Sequence, residues 1–245
     1  AVGAIGDIVA VQSTRNLGFL WHRSRQPEWT EMEFQMRNWY YFTWLSGDHN
    51  VEQQIHGIDK CTWAMGDKSP AKAWAISGRQ VRVDPKWGDI YDHHAVVYEY
   101  EGGKRVYAYC RQQPGCWNST EDYFFGTKGT CNVLNKYRIE RPDGEIAWRY
   151  DGPKCNMYDE EHKALFAAIR AGEPINNGQY MATSTMLAIL GRMVTYTGQA
   201  IEWEKAINSQ EDLSPSSYSW DGKPPVMPMS DGSYPIAVPG VTKLG

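Results

Sequence analysis

The chain has 245 residues, of which 42% are hydrophobic and 22% charged, and its formal net charge is −4 at pH 7. A chain of this length can bury a sizeable core without metals or disulfides. Because the sequence has no long basic run with which to neutralise phosphates, we expect no nucleic-acid partner.

No stretch of the sequence approaches the ~20 apolar residues that span a bilayer, so we expect no membrane partner. The N-terminus lacks the charged and apolar regions of a signal peptide, and Ala1 is not an initiator methionine. We expect a processed form or a piece of a longer polypeptide, which is cytoplasmic, or periplasmic if a leader was lost with a missing part. The five cysteines include no CxxC pair, which argues against a zinc ribbon or a disulfide scaffold.

In chain order, β-branched alternation first predicts a strand from Ile5 to Asn16. A capping box at Thr30 and Glu33 begins a predicted helix that leads directly into a second one, "GDHNVEQQIHGIDKCTW", over residues 47–63. Between residues 71 and 150, short apolar segments divided by Gly-rich turns predict a meander of strands. Two amphipathic segments, "EEHKALFAAIRAG" and "GQYMATSTMLAILGRMVTYTG", then predict helices that end at glycines and cover the sheet.

These elements predict an α+β fold, in which a large, mostly antiparallel open sheet has helices packed on one face. We expect residues 1–212 to form one α/β domain. Residues 213–245 contain six prolines and are expected to form an extended arm of the same domain. The uncovered sheet face predicts a homo-oligomer, and four tyrosines are expected on that face. They are Tyr98, Tyr100, Tyr107 and Tyr109.

The second predicted helix concentrates titratable side chains. At helical spacing one stripe contains Asp48, Glu52, His56 and Asp59. The neighbouring apolar face contains Val51, Ile55 and Ile58. Asp48 is placed to cap the helix, and Glu52 precedes His56 by one turn, the spacing at which a carboxylate fixes the tautomer of an imidazole and raises its basicity. A solvated helix face is the alternative interpretation of the same pattern.

Two positions in the sequence carry residue types that bind metals. The segment "DIYDHH" offers Asp89, Asp92, His93 and His94. Because neighbouring side chains on a strand point to opposite faces, His93 and His94 cannot share an ion without a bulge. Glu52 and His56 have no evident third ligand. We therefore predict no metal site.

Arg37 and Trp39 belong to a patch of hydrogen-bond donors and aromatic rings that precedes the second helix. Such a mixture suits a polyhydroxylated ligand. A loop held in place by its own aromatic side chains is the alternative.

The segment "GDHNVEQQIHGID" resembles the helix of the Gfo/Idh/MocA oxidoreductases in which a Gly-rich turn precedes the pattern D-x-x-x-H-x-x-D. "GAIGDIV" is similar to the crossover strand by which that family leaves its nucleotide-binding domain. "EEHKALFAAIRAGEPIN" and "GRMVTYTGQAIEWEKA" are similar to its closing helices. The resemblance covers nearly the whole chain, with Glu52 standing where the family has aspartate.

The resemblance implies a dihydrodipicolinate-reductase-like C-terminal domain for substrate binding and oligomerisation. In that family an N-terminal Rossmann domain binds NAD or NADP and carries a catalytic lysine, and we expect this sequence to lack that domain. The resemblance also implies that His56 is catalytic and is oriented by Glu52. The residues expected to bind substrate are Asp59, Asp48, His49, Arg37 and Trp39. Since the sequence has no phosphate-binding glycine turn, we expect no cofactor site in this chain, and the isolated chain to be inactive.

The expected function is therefore that of an NAD(P)-dependent dehydrogenase acting on a secondary alcohol of a sugar or cyclitol. His56 would take the hydroxyl proton as hydride leaves for the nicotinamide. An NAD-dependent glycoside hydrolase of the same fold family is an alternative. A non-enzymatic carbohydrate-binding or interaction domain, in which aromatic side chains hold the ligand, is a second one.

Overall fold

Nine strands form one sheet in the computed structural model, which describes residues 3–245; Ala1 and Val2 lie outside the described residues. The strands are β1 (Ile8–Leu17), β2 (Lys72–Gly78), β3 (His93–Glu99), β4 (Arg105–Gln112), β5 (Ser119–Gly126), β6 (Gly129–Asn132), β7 (Arg138–Glu140), β8 (Ile146–Arg149) and β9 (Ile201–Glu202). Their order across the sheet is β8-β7-β6-β5-β1-β4-β3-β2-β9.

Seven α-helices accompany the sheet in the described chain: α1 (Glu31–Arg37), α2 (Thr43–Ser46), α3 (His49–Glu52), α4 (Ile55–Ala64), α5 (Met157–Ala171), α6 (Gly178–Thr197) and α7 (Trp203–Ile207). The main core lies between the sheet and helices α4, α6 and α7. Ile58, Leu187 and Trp203 of these helices meet Val96 and Val106 of the sheet there. The predicted α+β fold, with a large, mostly antiparallel open sheet, is confirmed.

Strand β1 departs from the predicted meander. It lies between β5 and β4, pairing parallel with β4 and antiparallel with β5, while the other pairs in the described chain are antiparallel. The N-terminal strand therefore occupies the centre of the sheet, far in sequence from both neighbours. Local turn signals between consecutive strands carry no information about such a long-range insertion.

The prediction for the four tyrosines is correct for two of them. Tyr107 and Tyr109 lie half-buried on the uncovered face of β4. Tyr98 and Tyr100 are buried in the core on the helical side, which corrects their predicted position. The register explains the difference, because Tyr98 pairs with Val106 and not with Tyr107, so the two tyrosine pairs fall on opposite faces.

The two predicted closing helices behave differently. Both end at a left-handed glycine as predicted, with φ of 71° at Gly172 and 67° at Gly198. Helix α6 is buried along its C-terminal half against the sheet. Helix α5 contains no buried residue, and Leu165 and Phe166 are exposed on it. The prediction that both helices cover the sheet is therefore wrong for α5.

The first predicted helix is shorter than its apolar pattern suggested. Thr30 caps α1 as predicted, accepting a hydrogen bond from the Glu33 backbone N–H. The helix ends at Arg37 because the next residue, Asn38, is fully buried and donates its side-chain amide to the carbonyls of Arg23 and Phe34. A 3₁₀ turn and α2 then complete the segment.

Residues 213–245 contain no helix or strand and lie against the beginning of the domain. Tyr234 Oη donates to Glu31 at 2.6 Å, Gln35 Nε2 donates to the Val226 carbonyl at 2.7 Å, and Tyr91 Oη donates to the Ala237 carbonyl at 2.7 Å. Hydrogen bonds thus hold the C-terminal arm, residues 213–245, against α1 and the residues just before β3. None of the helices described is long and apolar enough to cross a bilayer.

Candidate functional site

The single helix predicted over residues 47–63 is wrong, because the structure has two short helices there. Helix α3 ends at Glu52 and α4 begins at Ile55. The buried Gln54 side chain between them donates to Ser13 Oγ on β1 at 3.0 Å, which ties the break to the centre of the sheet. The three residues of the predicted apolar face, Val51, Ile55 and Ile58, nevertheless pack onto the core as expected.

Helix α4 is also anchored electrostatically. Lys60 Nζ lies 2.8 Å from the buried carboxylate of Asp122, which in turn accepts a 2.6 Å hydrogen bond from Ser13 Oγ. A methyl group added at Gly57 would lie 1.9 Å from Ser13 Oγ, so this turn of the helix must approach the strand without a side chain. These contacts fix the orientation of α4 and therefore of the side chains on its outer face.

We call Glu52, His56 and Asp59 the surface group. His56 is exposed, and the other two are half-buried. The Glu52 carboxylate accepts a 2.7 Å hydrogen bond from Gln53 Nε2, and the Asp59 carboxylate accepts one from Tyr180 Oη. A break in the helical segment separates Glu52 on α3 from His56 on α4. Glu52 acts on His56 through its charge.

The protonation of His56 is tuned by several neighbours. Desolvation lowers the pKa of the imidazole from its ordinary value, and the positive charges of Arg15 and Lys60 lower it further. The carboxylates of Glu52 and Asp59 oppose these effects. An imidazole with a lowered pKa is neutral near physiological pH and can accept a proton from a hydroxyl group in front of it.

Asp48 and His49 lie on the other side of the same segment, in the interior. They form what we call the interior network with Tyr91, His94 and Tyr196. Asp48 Oδ2 accepts hydrogen bonds from the Tyr91 backbone N–H at 2.9 Å and from Tyr196 Oη at 2.6 Å. Asp48 Oδ1 lies 2.8 Å from His49 Nδ1 and 3.2 Å from His94 Nε2.

The interior network favours an ionised Asp48. Burial alone raises the pKa of its carboxyl, but the two adjacent imidazoles of His94 and His49 outweigh that effect and hold the pKa well below its ordinary value. Burial lowers the pKa of His49 to about 4. These residues have almost no surface in this structure, so their position favours an internal role over direct contact with a substrate.

Asp48 also has an unusual backbone. Its φ is 73° and its ψ is 162°, a combination that is nearly restricted to glycine and costs on the order of 1–3 kcal/mol in other residues. Its side chain caps α3 by accepting the His49 backbone N–H at 2.5 Å, as the sequence predicted. Strain of this kind persists only where surrounding contacts over-determine the conformation, and the interior network supplies them here.

Arg82 also belongs to the interior network, and the sequence analysis did not predict this. Its guanidinium is completely buried and donates to the Tyr91 carbonyl at 2.7 Å and to Gln112 Oε1. Its backbone N–H donates to Asp92, whose carboxylate also accepts from the neighbouring backbone. The segment "GRQVRV" reads as the end of a strand, and no local signal marks Arg82 as an interior cation.

The remaining predicted residues lie elsewhere. Arg37 forms an ion pair with Glu33 on α1 at 2.8 Å and lies over the ring of Trp29. Trp39 follows in the 3₁₀ turn and packs edge-on against Tyr40. These contacts match the alternative of a segment held by its own aromatic residues. As predicted, His93 and His94 have different environments, since His93 is half-buried and bound to Asp92 whereas His94 is buried.

The described residues do not form a dinucleotide site. The single parallel pair in the described sheet, β1 and β4, is separated by two further strands as well as helices, so it is not a βαβ unit. From the end of β1 at Leu17 the chain runs to α1 at Glu31 without the tight glycine turn that holds a pyrophosphate. Residues 3–245 therefore do not fit the nucleotide part of NAD or NADP.

Comparison with known proteins gives structural relatives only. No protein-family model matches the sequence, and no curated protein matches it. Among solved structures, aldose-aldose oxidoreductase from Caulobacter crescentus, complexed with glycerol, is 18% identical with a TM-score of 0.61, over 82% of this chain and 57% of its own. UDP-N-acetylglucosamine 3-dehydrogenase from Acidithiobacillus ferrooxidans is 15% identical with a TM-score of 0.56, over 78% of this chain and 55% of its own.

An oxidoreductase from Thermotoga maritima is similar to the same extent, with 16% identity and a TM-score of 0.59 over 83% of this chain and 56% of its own. The chain thus spans a little over half the length of the structures that it matches. This proportion fits the domain expected from the resemblance. The fold of the chain is that of the C-terminal domain of Gfo/Idh/MocA-type oxidoreductases.

Proposed function

We propose that the chain is the substrate-binding domain of an NAD(P)-dependent oxidoreductase that acts on a secondary alcohol of a sugar or cyclitol. The observation that carries the proposal is His56, an exposed imidazole with a lowered pKa on the first turn of a rigidly anchored helix. The fold is shared with oxidoreductases, two of which are named for sugar substrates. A fold alone does not determine which reaction a protein catalyses, so the proposal rests on the His56 side chain and not on the fold.

In this proposal His56 accepts the proton of the reacting hydroxyl group. The charge of Glu52 supports the protonated imidazole that results, because it raises the His56 pKa, while Arg15 and Lys60 keep the resting imidazole neutral. Asp59, fixed by Tyr180, would accept hydrogen bonds from neighbouring substrate hydroxyls. NAD or NADP would be held outside residues 3–245, and the isolated chain is expected to show no turnover.

A substrate screen on the longest reading frame that contains this chain tests the proposal. Sugars and cyclitols are offered with NAD and with NADP, and the nicotinamide absorbance is followed. Reduction of the cofactor with at least one polyol supports the proposal. A reading frame without a nucleotide-binding unit, or no reduction with any polyol, would contradict it.

A carbohydrate-binding domain without catalysis is the second candidate. A groove of about 380 Å³ between α1 and the C-terminal arm is lined by exposed Tyr218 and Trp220, together with Trp44 and Met36. Rings at the mouth of such a groove suit the apolar face of a sugar. Sugar binding that is lost in Trp220→Ala but kept in His56→Ala would favour this candidate.

We further propose that the chain self-associates through the uncovered sheet face. Ile76 of β2 is 80% exposed there, beside the half-buried Tyr107 and Tyr109. Light scattering is expected to give a mass above that of the monomer at micromolar concentration, and Tyr107→Glu should shift it to the monomer. Tyr218→Glu on the arm is the control, since Tyr218 lies away from this face. A monomeric unmodified chain would contradict the proposal.

A further inference from the structure

We propose that Asp48, His49 and His94 bind a divalent transition-metal ion such as Zn²⁺ or Fe²⁺ in the interior of the domain. Each side chain offers one oxygen or nitrogen atom, and the three atoms lie within 4.8 Å of one another. All three side chains are buried, with at most 1% of their surface exposed. Two imidazoles and one carboxylate form a ligand set that suits zinc and ferrous iron better than magnesium or calcium.

The hydrogen bonds around His94 fix the orientation of its ring. The Thr195 hydroxyl donates to the Arg192 carbonyl at 2.7 Å, so its oxygen is left to accept from His94 Nδ1, 3.2 Å away. His94 Nε2, on the other side of the ring, then faces Asp48 Oδ1 at 3.2 Å. A metal ion bound next to Asp48 Oδ1 would therefore lie within reach of His94 Nε2.

Unpaired nitrogen atoms give a second, independent indication. Nε2 of His49 and Nε2 of His94 are both buried without a hydrogen-bond partner. Buried polar atoms are rarely left unpaired in folded proteins, because the loss of hydration is then uncompensated. Coordination of a metal ion next to Asp48 Oδ1 would satisfy Nε2 of His94, which lies 3.2 Å from that oxygen.

The surroundings already orient the ligands. Tyr196 Oη and the Tyr91 backbone N–H hold Asp48 Oδ2, and Thr195 holds the ring of His94. Such outer contacts are typical of metal sites, where they fix the ligand geometry before the ion arrives. The Arg82 guanidinium opposes a cation, since its Nη1 lies 3.5 Å from His49 Nδ1. The buried carboxyl group of Asp92 acts on the Arg82 guanidinium through its charge and offsets part of that effect.

The site is independent of the surface group and of the proposed oxidoreductase activity. His56 and Glu52 take no part in it, and the sequence pattern predicted no metal because His94 and Asp48 are brought together only by the fold. The spacing rule that separates His93 from His94 still holds, since His94 alone faces the interior network.

Metal titration of the purified chain tests the proposal. All proteins carry Cys116→Ser and Cys155→Ser, because these exposed thiols could bind the same ions. Metal-free protein is titrated with Co²⁺, whose visible absorption reports its coordination, and Zn²⁺ content is measured by mass spectrometry after dialysis. We expect one bound ion per chain and a Co²⁺ spectrum that Zn²⁺ displaces.

Three variants assign the site. His94→Ala should abolish binding, and Thr195→Val, which keeps all three ligands, should weaken it by about 10–100-fold. His93→Ala, the neighbour on the same strand, should bind as the unmodified chain does. Circular dichroism checks the fold, and if His94→Ala is unfolded, the folded Thr195→Val variant decides. No bound Co²⁺ or Zn²⁺, binding unaffected by Thr195→Val, or binding lost in His93→Ala would overturn the proposal.

Discussion

The surface group and the interior network are neighbours in sequence but have opposite environments. Asp48 and His49 precede Glu52 and His56 by only three to eight residues, yet the first pair is fully buried and His56 is exposed. The left-handed backbone at Asp48 and the break after Glu52 produce this separation. A carboxylate close to an imidazole in a sequence therefore does not by itself indicate a role. A buried pair can stabilise the fold, whereas an exposed pair is able to exchange protons with a ligand.

Replacement of His56 should have the largest effect on activity and almost none on stability. In the enzyme that contains this chain, His56→Ala is expected to lower kcat by about 10²–10⁴-fold, the range for loss of a general acid or base. Steady-state kinetics with circular dichroism measures both properties. His162→Ala is the matched control, since His162 is an exposed histidine on α5. An unchanged kcat in His56→Ala would remove the catalytic assignment.

Replacement of Asp48 should show the reverse pattern. Asp48→Ala leaves Tyr196 Oη and the Tyr91 N–H without their acceptor and removes the charge that faces Arg82, so we expect a loss of about 3–5 kcal/mol in the free energy of unfolding. Urea unfolding followed by circular dichroism measures it. Asp212→Ala, an exposed carboxylate bound to Ser214, should change stability by less than about 0.5 kcal/mol. Similar losses in both variants would contradict the role of the interior network.

Asp89 provides a test based on pH. Burial raises the pKa of its carboxyl to about 6, so the stability that the protonated form contributes is complete below pH 3.8 and is lost as the pH rises through 6. Asp89→Asn keeps an acceptor for the Thr43 N–H and cannot ionise. The stability of the variant relative to the unmodified chain should therefore rise by about 2 kcal/mol between pH 4 and 7.

The comparison between the two proteins controls for other groups. His49, whose pKa is lowered to about 4, destabilises both proteins as the pH falls from 6.5 towards 4, so its contribution cancels in the difference. Urea unfolding at a series of pH values gives the curve. A difference that does not vary with pH would show that Asp89 ionises normally in the folded state.

Glu52 should have the smallest effect of the four. Its charge raises the His56 pKa, so Glu52→Gln should lower that pKa and move the acid limb of the kcat/KM profile to lower pH. We expect the rate to fall by no more than about fivefold, the size of an exposed charge interaction. Glu161→Gln on α5 should leave the profile unchanged. A shift to higher pH would show that Glu52 acts on His56 in another way.

The sequence predicted the features that depend on local chemistry. The capping box at Thr30, the glycine ends of α5 and α6, and the cap formed by Asp48 are all present. The alternating pattern also located most of the strands. Each of these features is fixed by side chains within a few residues of one another, which is the range over which a sequence pattern is informative.

The features that the sequence could not predict depend on distant partners. Tyr196 and Asp48 are 148 residues apart, and Gln54 reaches Ser13 across 41 residues. Whether a segment such as 47–64 stays one helix depends on contacts of this kind. The exposed helix α5 shows the same limit, since its pattern indicates an amphipathic helix but not what its apolar side meets.

The conformation of Asp48 also restricts how the protein can evolve. Glycine is the residue that its φ of 73° and ψ of 162° prefer, but glycine would remove the carboxylate that Tyr91, Tyr196 and the two histidines share. An alanine loses the carboxylate and keeps the strain. No single replacement improves the backbone and the side chain together, so position 48 can change only in step with several of its partners.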